Sequence, residues 1–210
     1  MKYFGMPYGM WILYNKSFKN KLISVIGYTK DEAKEIKKKA KIKYKEIINK
    51  LPEFEKGDRF KMNIISCAMF ASFVLNMNAK PNIEDLTNWY REGMMNAPTI
   101  WFCKMQGKKK FSEKDIESNR KTASFRAADR NEYSWNMELC LYENDKGYEA
   151  RFTKCGICHL LKEYGLFEYT SAMCKLDYAM SEASGASNFV RKCTIANGDE
   201  YCDCGYYKMG

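Results

Sequence analysis

Near Arg130 the chain changes the period at which its apolar side chains recur, and that change limits the fold more than any single motif. Spacings of three and four residues collect side chains on one face of a helix, whereas strict alternation collects them on one face of a strand. Ile36, Ala40, Tyr44, Ile47, Ile48 and Leu51 predict an amphipathic helix opened by Thr29, Asp31 and Glu32 and closed before Pro52. Asp58 is expected to cap a second helix reaching about Met77. With Phe60, Ile64, Ile65, Cys67, Ala68, Phe70, Ala71 and Val74 on nearly every face, it should be surrounded by protein. Asn82 and Asp85 open a third pattern, with Leu86, Trp89, Tyr90, Met94 and Trp101 inward and a break near Pro98. Ser112 and Asp115 open a short, polar fourth.

Beyond Arg130, Trp135, Met137, Leu139 and Leu141 alternate with Asn136, Glu138 and Cys140. The turn Asn144 to Gly147 leads to a second alternating run, Tyr148 to Thr153, so a hairpin is expected. Gly156 to Tyr164 and Leu166 to Ser184 read as helices stopped at Gly165 and Gly185. Two further strands, Asn188 to Ile195 and Glu200 to Lys208, meet at Asn197-Gly198-Asp199. The expected fold class is α+β, with N-terminal helices packed on a C-terminal β-β-α-α-β-β antiparallel sheet. No linker or repeat divides the chain, so residues 1–210 are expected to form one domain, helical over 1–130 and cysteine-rich over 131–210.

The net charge of +9 invites a nucleic-acid reading, but residues 151–210 hold seven basic and seven acidic residues, so residues 1–150 carry all of the excess. Nine lysines crowd Lys30 to Lys50 without one arginine. Bidentate base contacts and stacking come mostly from arginine and aromatic side chains, so a solvated helix face is expected and no nucleic-acid partner. The longest uncharged run, Met62 to Ala79, has too short an apolar heart to span a bilayer, and the start of the chain lacks the apolar length of a signal peptide. A cytoplasmic protein with no membrane partner is therefore expected. Its partner would be a small-molecule substrate or ligand, and association with further copies of the chain stays open.

Six of the nine cysteines (Cys155, Cys158, Cys174, Cys193, Cys202 and Cys204) fall in the last 56 residues, beside the only histidine, His159. An odd count does not suit a complete disulfide framework, which leaves burial, metal ligation or thiolate chemistry. Cys67, Cys103 and Cys140 sit in apolar patterns and are expected to be small buried hydrophobes. Cys155-Gly-Ile-Cys158 opens a helix, where free N–H groups favour a thiolate; it also resembles half a zinc site or a redox pair. His159 follows Cys155 by four residues and is a candidate to orient a thiol, with a purely structural role as the alternative. Cys174 and Asp177 share a helical face. On the last strand Cys202 and Cys204 point to one side and Asp203 to the other, so Asp203 cannot serve the same centre as both cysteines if the strand is regular.

Taken in order, Trp135, Cys155, Cys174-Lys-Leu-Asp177, Arg191-Lys-Cys-Thr194 and Gly198-Asp199-Glu-Tyr-Cys202-Asp203 resemble the L-2-amino-thiazoline-4-carboxylic acid hydrolase family. The resemblance implies hydrolytic opening of a thiazoline or related cyclic amidine to an N-carbamoyl-cysteine. The catalytic candidates are Cys174, Asp177, Cys155, Cys202 and Asp203, with Arg191 and His159 binding substrate. Cys204 departs from the family pattern, which has an aromatic residue there. The same ending also looks like the small-molecule-binding 4-vinyl reductase domain. That likeness implies a non-catalytic sensory module with zinc on Cys174, Cys193 and Cys202, although Val190 and Arg191 offer no carboxylate for the fourth ligand. No other cofactor is implied.

Overall fold

The computed structural model describes residues 1–209. Its core is built on α3 (Lys61–Val74), in which every residue from Ile64 to Val74 is buried. A helix apolar all round can only be stable when other elements enclose it, and α1 (Met6–Lys21) and α2 (Lys30–Lys50) do so from one side. Trp11 of α1 stacks between Tyr44 of α2 and Phe73 of α3 at centroid separations of 5.7 and 5.8 Å. Phe18 lies 4.8 Å from Trp89 of α4 (Ile83–Met94), over Gly93, where a Cβ would stand 2.2 Å from its ring. The start of α2 forms a reciprocal cap: Thr29 accepts from the Glu32 N–H while the Glu32 carboxylate accepts from the Thr29 N–H.

The α2 pattern, the Asn82 cap of α4 and the Ser112 cap of α6 (Glu113–Phe125) match the sequence expectations. Several details differ. Asp58 acts one turn early, accepting from the Phe60 N–H, so α3 starts at Lys61 and stops at Val74. Pro98 sits in the first turn of a separate helix, α5 (Ala97–Gly107), where a missing N–H costs nothing. That helix turns Trp101 outward, 65% exposed, where an inward position was expected. The first helix, α1, was not anticipated; its outer face is itself apolar, which hides the amphipathic signal.

The second half holds a four-stranded, wholly antiparallel sheet in the order β1-β2-β4-β3, formed by β1 (Asn136–Leu141), β2 (Gly147–Lys154), β3 (Ser187–Val190) and β4 (Cys202–Lys208). The α+β expectation therefore holds. Between β2 and β3 run α7 (Gly156–Glu163), α8 (Thr170–Cys174) and α9 (Leu176–Ser184), so the expected long second helix is broken into pieces. The third strand stops at Val190, short of Ile195, because Asp203 takes the N–H groups of Lys192 and Cys193. Cys140 lies on the outer face of β1 opposite Glu149 and is only partly buried, unlike Cys67 and Cys103.

Helices from the two halves of the chain pack in pairs, α3 on α7, α4 on α8 and α5 on α9, while α6 packs on β1. One apolar cluster runs from Met1 to Cys204. The inner face of the sheet, carrying Ala150, Cys202 and Cys204, closes it from below.

Candidate active site

The chain leaves β2 and turns at once into α7, crossing the Tyr133–Ser134 backbone so closely that a Cβ on Gly156 would lie 2.1 Å from the Tyr133 carbonyl. This turn places Cys155 at the N-cap of α7. Its side chain makes no capping hydrogen bond to the α7 backbone, but the Cys158 thiol, the N–H groups of Cys158 and Ile157 and the Trp135 indole all lie near its sulfur. These donors, the Cys158 thiol first, hold Cys155 below the ordinary thiol range even though burial opposes the anion. The partner moves the other way: its bond to Cys155 and its own burial keep Cys158 protonated. Cys155 also retains some accessible surface.

Cys174 closes α8 one residue before α9 delivers Asp177. Arg191, just past β3, donates from Nη2 to the Asp177 carboxylate at 2.5 Å and to the Cys174 carbonyl at 3.0 Å. The Arg191 side chain is only 6% exposed, while Asp177 keeps 44% of its side-chain surface open. Burial nevertheless raises the Asp177 carboxyl above its usual range, against the pull of Arg191. Burial pushes the Cys174 thiol up to about 12 despite the Arg191 charge. The Nε of Arg191 is buried without a partner, so this guanidinium has a donor to spare for an anion.

Cys202 and Cys204 join the cluster from the inner face of β4, both buried and both raised by burial. Cys202 accepts from the Ile195 N–H at 3.3 Å and lies 3.4 Å from the Thr194 hydroxyl. Asp203 faces the other way and receives the Lys192 and Cys193 N–H groups, tying the loop after β3 to β4. His159 points outward, with Nε2 3.5 Å from Glu132 and its ring edge-on to Tyr133. Thus Cys155, Cys158, Cys174, Asp177, Arg191, Cys202 and Cys204 lie close enough for their charges to interact, whereas His159 and Asp203 point away from them. Among the described residues no three His, Cys, Asp or Glu side chains are set to hold one metal ion. The zinc set Cys174, Cys193 and Cys202 is accordingly not assembled; the Cys193 main chain pairs with Asp203, on the far side of the strand from Cys202.

Sequence reading passed over four contributors. Cys67 was expected to be inert, yet it lies close enough to Cys155 and Cys174 for their charges to raise it further after burial. Tyr206 and Ser66 with Tyr90 line the same region, the latter two hydroxyls 2.8 Å apart. Nothing local in the sequence marks them, because they reach the site only through the β4 register and the α3–α4 packing. Lys110 lies behind Tyr206, with Nζ 3.5 Å from the ring centroid and near Tyr148 and Phe111. Two open clefts lie elsewhere, one of about 220 Å³ beside Arg130 and one of about 1000 Å³ between α6 and the β1–β2 turn.

No curated protein and no solved structure matches the chain significantly, and the likeness to the 4-vinyl reductase domain gains no support. A family model does match residues 62–206, an interval that takes in α3 from its second residue, the sheet up to the last two residues of β4 and every residue of the cysteine cluster. The chain belongs to the L-2-amino-thiazoline-4-carboxylic acid hydrolase family.

Proposed function

We propose that the protein hydrolyses a small cyclic amidine of the 2-amino-thiazoline-4-carboxylate type, with Cys155 as nucleophile. The observation that carries this is the contrast within the cluster. Cys155 stands at a helix N-terminus beside the Cys158 thiol and is the one of them that is lowered, while Cys158, Cys174, Cys202 and Cys204 are all raised. Among the candidates Cys174, Cys155 and Cys202, this favours Cys155.

In this reading the Cys155 thiolate attacks the amidine carbon and the ring C–S bond breaks. The substrate sulfur then takes a proton from Asp177, whose carboxyl burial has lifted. Water next adds to the same carbon, the bond to Cys155 breaks, and the proton lost by the water returns to Asp177. The sum is one water added and an N-carbamoyl-cysteine released, with the thiolate restored. Arg191, through its unpartnered Nε, holds the substrate carboxylate. Asp203 and His159 support the reading only indirectly, by fixing the loop after β3 and the outer face of α7.

The test is incubation with 2-amino-thiazoline-4-carboxylate, following release of free thiol and the product mass. Turnover by the unmodified protein and its loss in a folded Cys155→Ser variant are expected. Folded protein inert towards thiazolines and other cyclic amidines overturns the hydrolase reading; activity surviving Cys155→Ser but not Cys174→Ser transfers the nucleophile to Cys174.

A further inference from the structure

Three of the four tryptophans are buried; Trp101 is not, and it does not stand alone. Beside it on α5, Phe102 is 48% exposed, and α1 presents Tyr8, Ile12 and Leu13 outward, with Phe4 just before the helix 83% exposed. Two bonds fix the junction between these helices: the Tyr14 and Thr99 hydroxyls lie 2.8 Å apart, and the Asn96 amide donates to the Leu13 carbonyl at 3.3 Å. Exposed aromatic and aliphatic side chains thus stand on both of the helices that meet here. A soluble surface rarely carries so many large apolar groups together without an interaction to serve.

The charge around the junction names the partner. From Met1 to Lys30 and from Gly93 to Ser112 the sequence holds nine lysines and not one Asp or Glu. Lys21 is paired with Glu92 and Lys110 is turned onto Tyr206, but Lys2, Lys16, Lys104, Lys108 and Lys109 are exposed and form no ion pair among the described residues. The positive surface continues onto α2, where Lys37 lies near Lys19 and Lys41. Lysine beside tryptophan, phenylalanine and leucine is the composition of a surface that lies in the headgroup layer of an anionic membrane: rings and aliphatic chains enter the interface, and long lysine stems reach the phosphates. A second copy of the chain would set this lysine field against itself.

We propose that the α1–α5 face docks onto an anionic lipid surface, with Trp101, Phe102, Tyr8, Ile12 and Leu13 entering the headgroup region and the surrounding lysines over the lipid phosphates. No spanning helix is needed. The expectation of no membrane partner rested on the absence of such a helix, which says nothing of a protein that lies on the surface.

Trp101 is the natural reporter, because the other three tryptophans are already shielded. Phosphatidylcholine vesicles with and without phosphatidylglycerol are titrated into the protein, reading Trp101 emission and co-sedimentation. A blue shift and sedimentation are expected with the anionic vesicles at low salt, weakening as salt is raised. Lys108→Gln with Lys109→Gln should lower the partition constant roughly fivefold per lysine. Trp101→Ser should weaken sedimentation while circular dichroism stays unchanged. The proposal would be overturned by no sedimentation with anionic vesicles at low salt, by sedimentation without any change in Trp101 emission, or by a Trp101 shift that appears only with single-stranded RNA. It would also be overturned by a dimer in solution that Trp101→Ser converts to monomer, which assigns the face to a second copy.

Discussion

Cys155 and Cys174 belong to one cluster, yet the neighbouring Cys158 thiol lowers the first and burial raises the second to about 12. The difference is measurable without any substrate. At pH 7 iodoacetamide should alkylate Cys155 well before Cys174, read by peptide mass spectrometry, and the rate should fall as the pH drops through the lowered Cys155 value. If Cys155 is the nucleophile, serine in its place should reduce kcat by about a thousandfold or more, because a hydroxyl of ordinary pKa gains little from donors arranged for an anion. Lys110 offers a second test at this scale. Burial pushes its ammonium down to about 8, against the attraction of Asp115. Below pH 8 the folded state holds a charge it disfavours; between about 8 and the unfolded value of 10.5 the unfolded chain binds more protons, so the Lys110 contribution grows more favourable as pH rises. The difference in denaturation midpoint between the unmodified protein and Lys110→Met should shift in favour of the unmodified protein from pH 8 to 10.5, and a pH-independent difference would contradict it.

Among the elements, the turn from β2 into α7 is the one on which the thiolate depends. Gly156→Ala forces its Cβ onto the Tyr133 carbonyl, and overpacking against backbone should cost on the order of 1–3 kcal/mol in urea denaturation and return Cys155 towards an ordinary thiol. Legibility in the sequence follows the same physics. Caps that bond within three residues, such as Thr29 to Glu32 and Asn82 to Asp85, were readable because both partners lie together in the chain. The parity of Cys202, Asp203 and Cys204 was readable because a strand alternates. The end of β3 was not, since it depends on Asp203 thirteen residues beyond Val190 capturing two N–H groups. The outward Trp101 was missed for a related reason. Helical periodicity finds an apolar stripe but cannot tell a core-facing stripe from one that faces out, and α5 turns Cys103 and Thr99 inward instead.

For the whole molecule, the pairing of α3, α4 and α5 with α7, α8 and α9 means that neither half can bury its apolar faces alone. Limited proteolysis should therefore leave the chain largely whole or digest it entirely; two stable fragments split near residue 130 would contradict a single cooperative unit.

The strand order β1-β2-β4-β3 has a consequence for the chain as it is made. The strand that comes last in sequence is inserted between two that come earlier, so the centre of the sheet is filled only after both of its neighbours exist. On the ribosome the β1–β2 hairpin and α7 are complete while Cys202 and Cys204 are still unsynthesised, leaving Cys155, Cys158 and Cys174 uncovered until β4 docks. Assembly of the cysteine cluster is thus coupled to synthesis of β4: a chain stalled before Cys202 carries open thiols and an unpaired β2 edge, ready substrates for oxidation and for quality control.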